Sequence, residues 1–234
     1  MLLSTGPARA QAIAAPGLSI EVASDDRRRG LSWSDGRPAL TASGYLPVTG
    51  GLDLEAAAST LRGSARHGGA DLGIDAGLRY RHDLGGWRLS AGLLGHAFAD
   101  RSALNYAEVT ARAAYQIGPA VFGGSLAYAP RQNAIGGDDL YIAADAELAL
   151  PGTPWTFRAG AGRSSGETRN GLRAARLRPG GSYWDYHLSA EHVRGPLTAG
   201  LRFTATSIDS DEAAPAVDDR HIGSRLTAHL RFDL

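Results

Sequence analysis

Arginines and carboxylates recur along this 234-residue chain two or four positions apart, a spacing that stacks charges on one side of an extended strand. Asp71, Asp75, Arg79 and Arg81 share one parity with Gly73 and Gly77, and Ala70, Leu72, Ile74, Ala76, Leu78 and Tyr80 take the other. Neighbouring β side chains point to opposite faces, so 70–82 reads as a strand with one apolar and one charged face. A helix cannot use that pattern. The same sorting puts Arg88, Glu108, Arg112, Asp145, Glu147, Arg158, Glu191, Arg202, Arg225 and Arg231 on the polar faces of similar stretches. Arginines facing carboxylates across a watery lumen would set up a transverse field that orders dipolar solutes and narrows their passage.

Other chemistries have less to build on. Seven histidines show no metal-type spacing, and His187 and His192 fall on opposite strand faces. Ser90, His96 and Ser189 are too scattered to suggest a nucleophile with its base, so no catalytic activity and no cofactor are expected. Gly160-Ala161-Gly162 sits inside a strand pattern with no helix after it, which removes the context a phosphate loop needs. The chain has no Cys, which excludes thiol catalysis, disulfide frameworks and Cys-type zinc sites. All 24 basic residues are Arg, balanced by 24 Asp and Glu, so bulk charge does not make it a nucleic-acid binder.

The elements that must position the ladders are about twelve alternating stretches, of which 70–82 is about twice the usual strand length. They fall at 18–24, 39–46, 52–61, 70–82, 87–96, 108–116, 120–128, 140–150, 155–162, 184–191, 197–206 and 225–234. Connections alternate in length. Tight Gly/Pro turns at 47–51, 83–86, 118–119, 151–154 and 195–196 alternate with longer segments at 25–38, 62–69, 99–103, 130–138, 164–182 and 209–221. Long loops at one end and short turns at the other is the arrangement of an outer-membrane meander.

The solvent of each face follows from size. About eight strands make a barrel that side chains just fill, so twelve leave an interior too wide for the Ala and Leu of the apolar face, which must point outward. Aromatics near the short turns, Tyr80, Trp87, Tyr115, Phe122, Trp155 and Phe232, suit an interfacial girdle. Ten residues at about 3.3 Å each and tilted about 45° span about 23 Å, near the apolar band of such barrels. A soluble sandwich or lipocalin-like barrel with its apolar faces inward is the competing reading.

Residues 1–16 read as a signal-peptide remnant, with Ala10-Gln11-Ala12 as a small-x-small cleavage site, or as a disordered arm; residues 17–234 read as the barrel. In the first long segment, Arg27, Arg28, Arg29 and Arg37 lie among Asp25, Asp26 and Asp35. They read either as a lumen mouth biased toward anions or as a solvated, self-paired turn. The Arg-rich stretch 163–178 and the acidic stretch 209–220 read as a paired lid, as contacts to lipopolysaccharide phosphates and a divalent ion, or as solvated loops.

Ser24-Asp25-Asp26-Arg27-Arg28-Arg29-Gly30-Leu31-Ser32-Trp33-Ser34-Asp35-Gly36-Arg37-Pro38-Ala39 resembles the N-terminal signature of the TorF-family putative porins, with Arg29-Gly30-Leu31-Ser32-Trp33-Ser34 as the core. Weaker similarity runs through Tyr183-Trp184-Asp185-Tyr186 and the last strand. Asp26, Arg28 and Trp33 depart from that pattern. The resemblance implies an outer-membrane barrel of porin type without naming a cargo.

The expectation is therefore an all-β, single up-and-down antiparallel transmembrane barrel in the outer membrane of a Gram-negative cell. It would pass small hydrophilic solutes through a charged lumen, in contact with outer-membrane lipid and lipopolysaccharide and placed there by the barrel-assembly machinery. The alternative is a non-conducting structural or adhesin-like barrel whose lumen is closed by the same salt bridges.

Overall fold

The computed structural model describes residues 16–209 and 221–234. The reading of residues 1–16 therefore falls, except for Pro16, outside the described residues, as does most of the acidic stretch.

Alternation produces strands over nearly the whole described chain. In chain order these are β1 (Gly17–Ala23), β2 (Arg27–Arg28), β3 (Leu31–Ser32), β4 (Ala39–Thr49), β5 (Leu52–Ser64), β6 (Ala70–Leu84) and β7 (Trp87–Phe98). They continue as β8 (Tyr106–Ile117), β9 (Ala120–Gln132), β10 (Gly137–Ala149), β11 (Trp155–Ser165), β12 (Tyr183–Arg194), β13 (Leu197–Thr206) and β14 (Arg225–Asp233). All except β2 and β3 form one closed antiparallel barrel of twelve strands in which each pairs with its neighbour in sequence, and β1 meets β14 to close the ring. No helix among the described residues is long and apolar enough to cross a membrane.

Each of the twelve alternating stretches became a barrel strand, and several run further toward the long-loop end than alternation alone indicated. β5 extends to Ser64, β9 to Gln132 and β11 to Ser165. The apolar faces point outward: Leu72, Ile74, Leu78 and Tyr80 on β6 are exposed, as are Leu89 and Leu93 on β7. Around the short turns Tyr80, Trp87, Phe122, Trp155 and Phe232 are exposed, and Tyr115 packs on Trp87 with ring centres 4.9 Å apart. Pro47, which has no N–H to give a ladder, lies beside a register shift between Pro47 and Thr49, where an interrupted ladder tolerates it.

The lumen is not empty at the long-loop end. Segment 24–38 turns inward and folds as the β2–β3 hairpin. Arg29 and Gly30 form its two-residue turn with φ of +51° and +74°, the pair of positive angles that a tight type I′ hairpin demands. Around it the short helical turns Ala65–His67 and Asn133–Ile135 and helix α1 (Gly171–Ala174) close in. Trp33, Leu61, Phe98, Tyr106, Ala129, Ala134, Ile135 and Leu177 form a buried apolar cluster there. A barrel too wide to be filled by its wall is filled at this end by its own loops.

Candidate functional site

The hairpin is fastened from within before it meets the wall. Asp25 takes hydrogen bonds from Ser32 Oγ at 2.5 Å and Ser34 Oγ at 3.0 Å and an ion pair from Arg27 at 3.3 Å, so the Ser-x-Ser spacing places two hydroxyls on one carboxylate. Arg27 also donates to the Gly30 carbonyl, and to the Gly223 carbonyl at 2.8 Å. Both charges are buried, and each supplies what the other needs to be so.

Arg28 and Arg29 then reach across the lumen in different directions. Arg28 donates to Asp75 on β6 at 2.7 Å and Ser59 on β5 at 2.9 Å, with its guanidinium 4.1 Å over the Trp33 ring. Arg29 pairs with Glu108 on β8 at 2.8 Å and Asp139 on β10 at 2.9 Å. Its carbonyl accepts from the Tyr183 hydroxyl on β12 at 2.9 Å, and Gly30 lies so close to Thr206 of β13 that a Cβ would come within 2.5 Å of its methyl. One hairpin thus touches strands β5, β6, β8, β10, β12 and β13. Burial opposes the charge on Arg29, and the carboxylates of Glu108 and Asp139 more than offset it, raising its pKa above the ordinary value.

Arg66 and Arg176 hold the surrounding loops. Arg66 donates to the Ser32 carbonyl at 3.1 Å, and Arg176 to the carbonyls of Arg66 at 3.1 Å, Leu104 at 3.1 Å and Ala134 at 2.7 Å. Burial lowers both guanidinium pKa values to about 10, since backbone carbonyls replace the carboxylates that would favour the cation. Arg178 pairs with Asp139 at 3.1 Å and donates to the carbonyls of Gly166, Asp138 and Glu167. The C-terminal half of the Arg-rich stretch is therefore part of the plug. The expectation of a wholly solvated or lid-like loop holds at most for Arg169, which is exposed; Arg163 stands in β11 with its guanidinium 5.6 Å from the Trp184 ring centre.

Below the plug the charged ladders pair between neighbouring strands or across one intervening strand. Arg79 meets Glu55 at 3.0 Å and Arg81 meets Asp53 at 2.6 Å, while Arg112 forms a two-pronged pair with Asp145 at 2.6 and 2.7 Å. Arg158 bridges Glu147 at 2.7 Å and Glu191, and Glu191 also faces His229 at 3.4 Å. Arg202 is half-buried on the inward face, opposite Ser189 and Thr227 in register. His96 joins the lower ladders to the plug, with Nδ1 2.7 Å from Asp75 and Nε2 3.4 Å from Glu108.

Not every charge placed in the lumen by parity belongs to its core. Asp71 is exposed at the long-loop end of β6, beyond the register shift between Thr60 and Ser64. Arg88 pairs with Asp83 at 3.4 Å on the exposed short turn, and Arg231 pairs with Asp233 at the same end. Arg225 is exposed and reaches the Gly36 carbonyl at 3.4 Å, while Arg37 is exposed beside Asp35 at 3.2 Å. Parity gives the side of the wall and not the height along it, and these residues stand at the barrel ends. Asp25, Asp53, Glu55, Arg66, His96, Asp139 and Tyr183 were absent from the predicted set, and Arg176 and Arg178 entered it only as part of the Arg-rich loop. Asp53 and Glu55 share parity with Ser59, so the alternation rule could have found them; Asp139 and Arg176 sit in stretches without alternation, where it has no purchase.

Beneath the hairpin a cavity of about 740 Å³ extends from Asp75 and Leu94 past Glu55, Arg79 and Tyr45 to Asp233 at the short-turn end. A closed twelve-strand wall, apolar outside and charged within, with its loops folded into one mouth, defines a barrel of porin type. The chain belongs to the family described as "Bacterial protein of unknown function (Gcw_chp)", whose pattern matches residues 9–227. That match does not support the TorF name suggested by segment 24–39; the porin-type barrel the resemblance implied is present. No curated protein matches the chain in sequence. Among solved structures, the chain is similar to the NanC porin at 11% identity and a TM-score of 0.60, covering 93% of this chain and all of that one. It is also similar to the KdgM porin at 7% identity and a TM-score of 0.56, covering 92% of this chain and 98% of that one. Identities this low speak to the fold alone.

Proposed function

We propose that the protein is an outer-membrane channel of porin type that passes small hydrophilic solutes by diffusion, with the β2–β3 hairpin narrowing its mouth. In this reading the short turns are periplasmic and the long loops external. The observation that carries it is the cavity running from the underside of the hairpin to the short-turn end, with the charged groups of Glu55, Asp75 and Arg79 in its lining. A purely structural barrel has no need of water-accessible charge along its axis. In this reading the wall charges act as contact pairs, Arg79 with Glu55, Arg81 with Asp53, Arg112 with Asp145 and Arg158 with Glu147 and Glu191, which line the passage with polar groups instead of opposing one another across it.

The hairpin's contacts with six strands favour a second reading, a closed barrel whose loops do the binding. Planar-bilayer conductance separates the two. The channel reading expects small unitary currents, whose reversal potential under a salt gradient reports charge preference. Absence of current from folded protein, as judged by heat-modifiable gel migration, would leave the closed barrel standing.

A further inference from the structure

At the long-loop end, apart from the lumen, the β9–β10 and β11–β12 loops meet around a notch of about 370 Å³. Arg131, Arg169 and Arg173 line it together with Gln132, Asn133 and Asn170. We propose that this notch is a binding site for a phosphate ester.

Its walls are held by backbone. The Gly136 carbonyl accepts the amides of Arg169 at 2.8 Å and Asn170 at 3.0 Å, and Gly137 bridges Thr168. Gly136 has φ +64°, and a Cβ on it would fall 2.3 Å from the Asn170 carbonyl oxygen; one on Gly137 would fall 2.0 Å from that of Glu167. The two loops approach as closely as glycine allows, which fixes where the three arginines start. Arg173 is tied further by a 2.8 Å bond from one guanidinium nitrogen to the Asn133 carbonyl.

The charges do not balance. Among the described residues Glu167, beside the notch, is the one carboxylate paired with these guanidiniums, 2.7 Å from Arg131 and 3.5 Å from Arg169. Asp138 lies behind it with its carboxylate taken by the Glu167 amide at 2.6 Å. Each arginine engages one guanidinium nitrogen in these contacts and keeps other donors for a ligand. Planar forks with spare donors, with amide side chains beside them, match the several acceptor oxygens of a phosphate monoester better than a single carboxylate. The Gln132 side chain crosses to the outward edge of β8, bonding the Ala107 amide and carbonyl at 2.9 and 2.8 Å, so the notch lies at the rim of the barrel. A lipid-borne phosphate and a free phosphorylated solute can both reach such a place.

The test uses the full chain folded in detergent and its R131Q/R169Q/R173Q variant, with R169Q alone as a milder change at an exposed side chain. Binding is measured by titration with inorganic phosphate, with lipopolysaccharide, and with the same glycolipid after enzymatic dephosphorylation. The site predicts that the parent binds a phosphorylated probe, that the triple variant binds it at least tenfold more weakly, and that R169Q falls between. The dephosphorylated glycolipid should bind no better to the parent than to the triple variant. Binding of lipopolysaccharide uncompeted by inorganic phosphate would identify the lipid as the source; full competition would point to a free phosphate ester. Equal binding of the phosphorylated and dephosphorylated glycolipid, unchanged binding by the folded triple variant, or no binding of any phosphorylated probe overturns the proposal. None of these outcomes depends on whether the lumen conducts.

Discussion

His67 lies between Trp33 and Phe98 with ring centres 4.4 and 4.6 Å away, fully buried, and neither ring nitrogen has a hydrogen-bond partner among the described residues. Burial, and then Arg176 and Arg66, hold its pKa well below the ordinary value, so it stays neutral in the folded plug. The unfolded chain protonates this histidine below about pH 6.5, so it takes up the extra proton there, and stability falls as pH drops, by up to about 1.4 kcal/mol per unit. His67→Phe should remove that part of the acid sensitivity, read as the difference in unfolding free energy in vesicles between pH 7 and pH 5. An equal slope in the variant would move the acid response to another group. At Arg29 the same accounting runs through charge: Arg29→Ala leaves Glu108 and Asp139 buried without it and should cost about 3–5 kcal/mol. Urea unfolding of the variant in vesicles measures this cost.

At the scale of elements, the alternation that made β6 legible also predicts its response to charge. Ile74 is exposed on the outward face at mid-strand, so Ile74→Arg should cost about 2–4 kcal/mol of folding in a bilayer if that face meets lipid. A variant that folds into vesicles as stably as the parent would reverse the faces. The hairpin answers to different rules. Gly30 needs a positive φ and has no room for a Cβ beside Thr206 and Asp185, so Gly30→Val should push the turn out of its seat. Trypsin, blocked in the native protein by the burial of Arg27, should then cut within 27–29 faster than in the parent. Barrel strands were readable because every second residue meets the same solvent. The hairpin was readable only as a cluster of Arg, Asp, Ser and Gly, because β2 and β3 have two residues each and carry no period.

For the whole molecule the prediction concerns passage. Removing residues 26–36 takes away the contacts to six wall strands while leaving the twelve-strand ring unbroken. The deletion variant should show several-fold larger unitary conductance than the parent and keep its heat-modifiable migration. Unchanged conductance would place the constriction elsewhere, in the ladders or in the loops around α1.

The two-faced strands, their even number, the alternation of turns and loops and the outward apolar surface were all present in the order of residues. The two-faced strands and the turns are local properties, set by which solvent meets each side of a strand and by what a tight turn requires of its backbone. The outward side followed from counting the strands, since twelve enclose a space too wide for Ala and Leu to fill. What fills the mouth was decided only by closure. The pairing of Arg29 with Asp139 joins residues 110 apart in sequence, and the bond from Tyr183 to the Arg29 carbonyl joins residues 154 apart. No period along the chain encodes such partners, because they become neighbours only when the last strand meets the first and the loops of one end are forced into a single lumen.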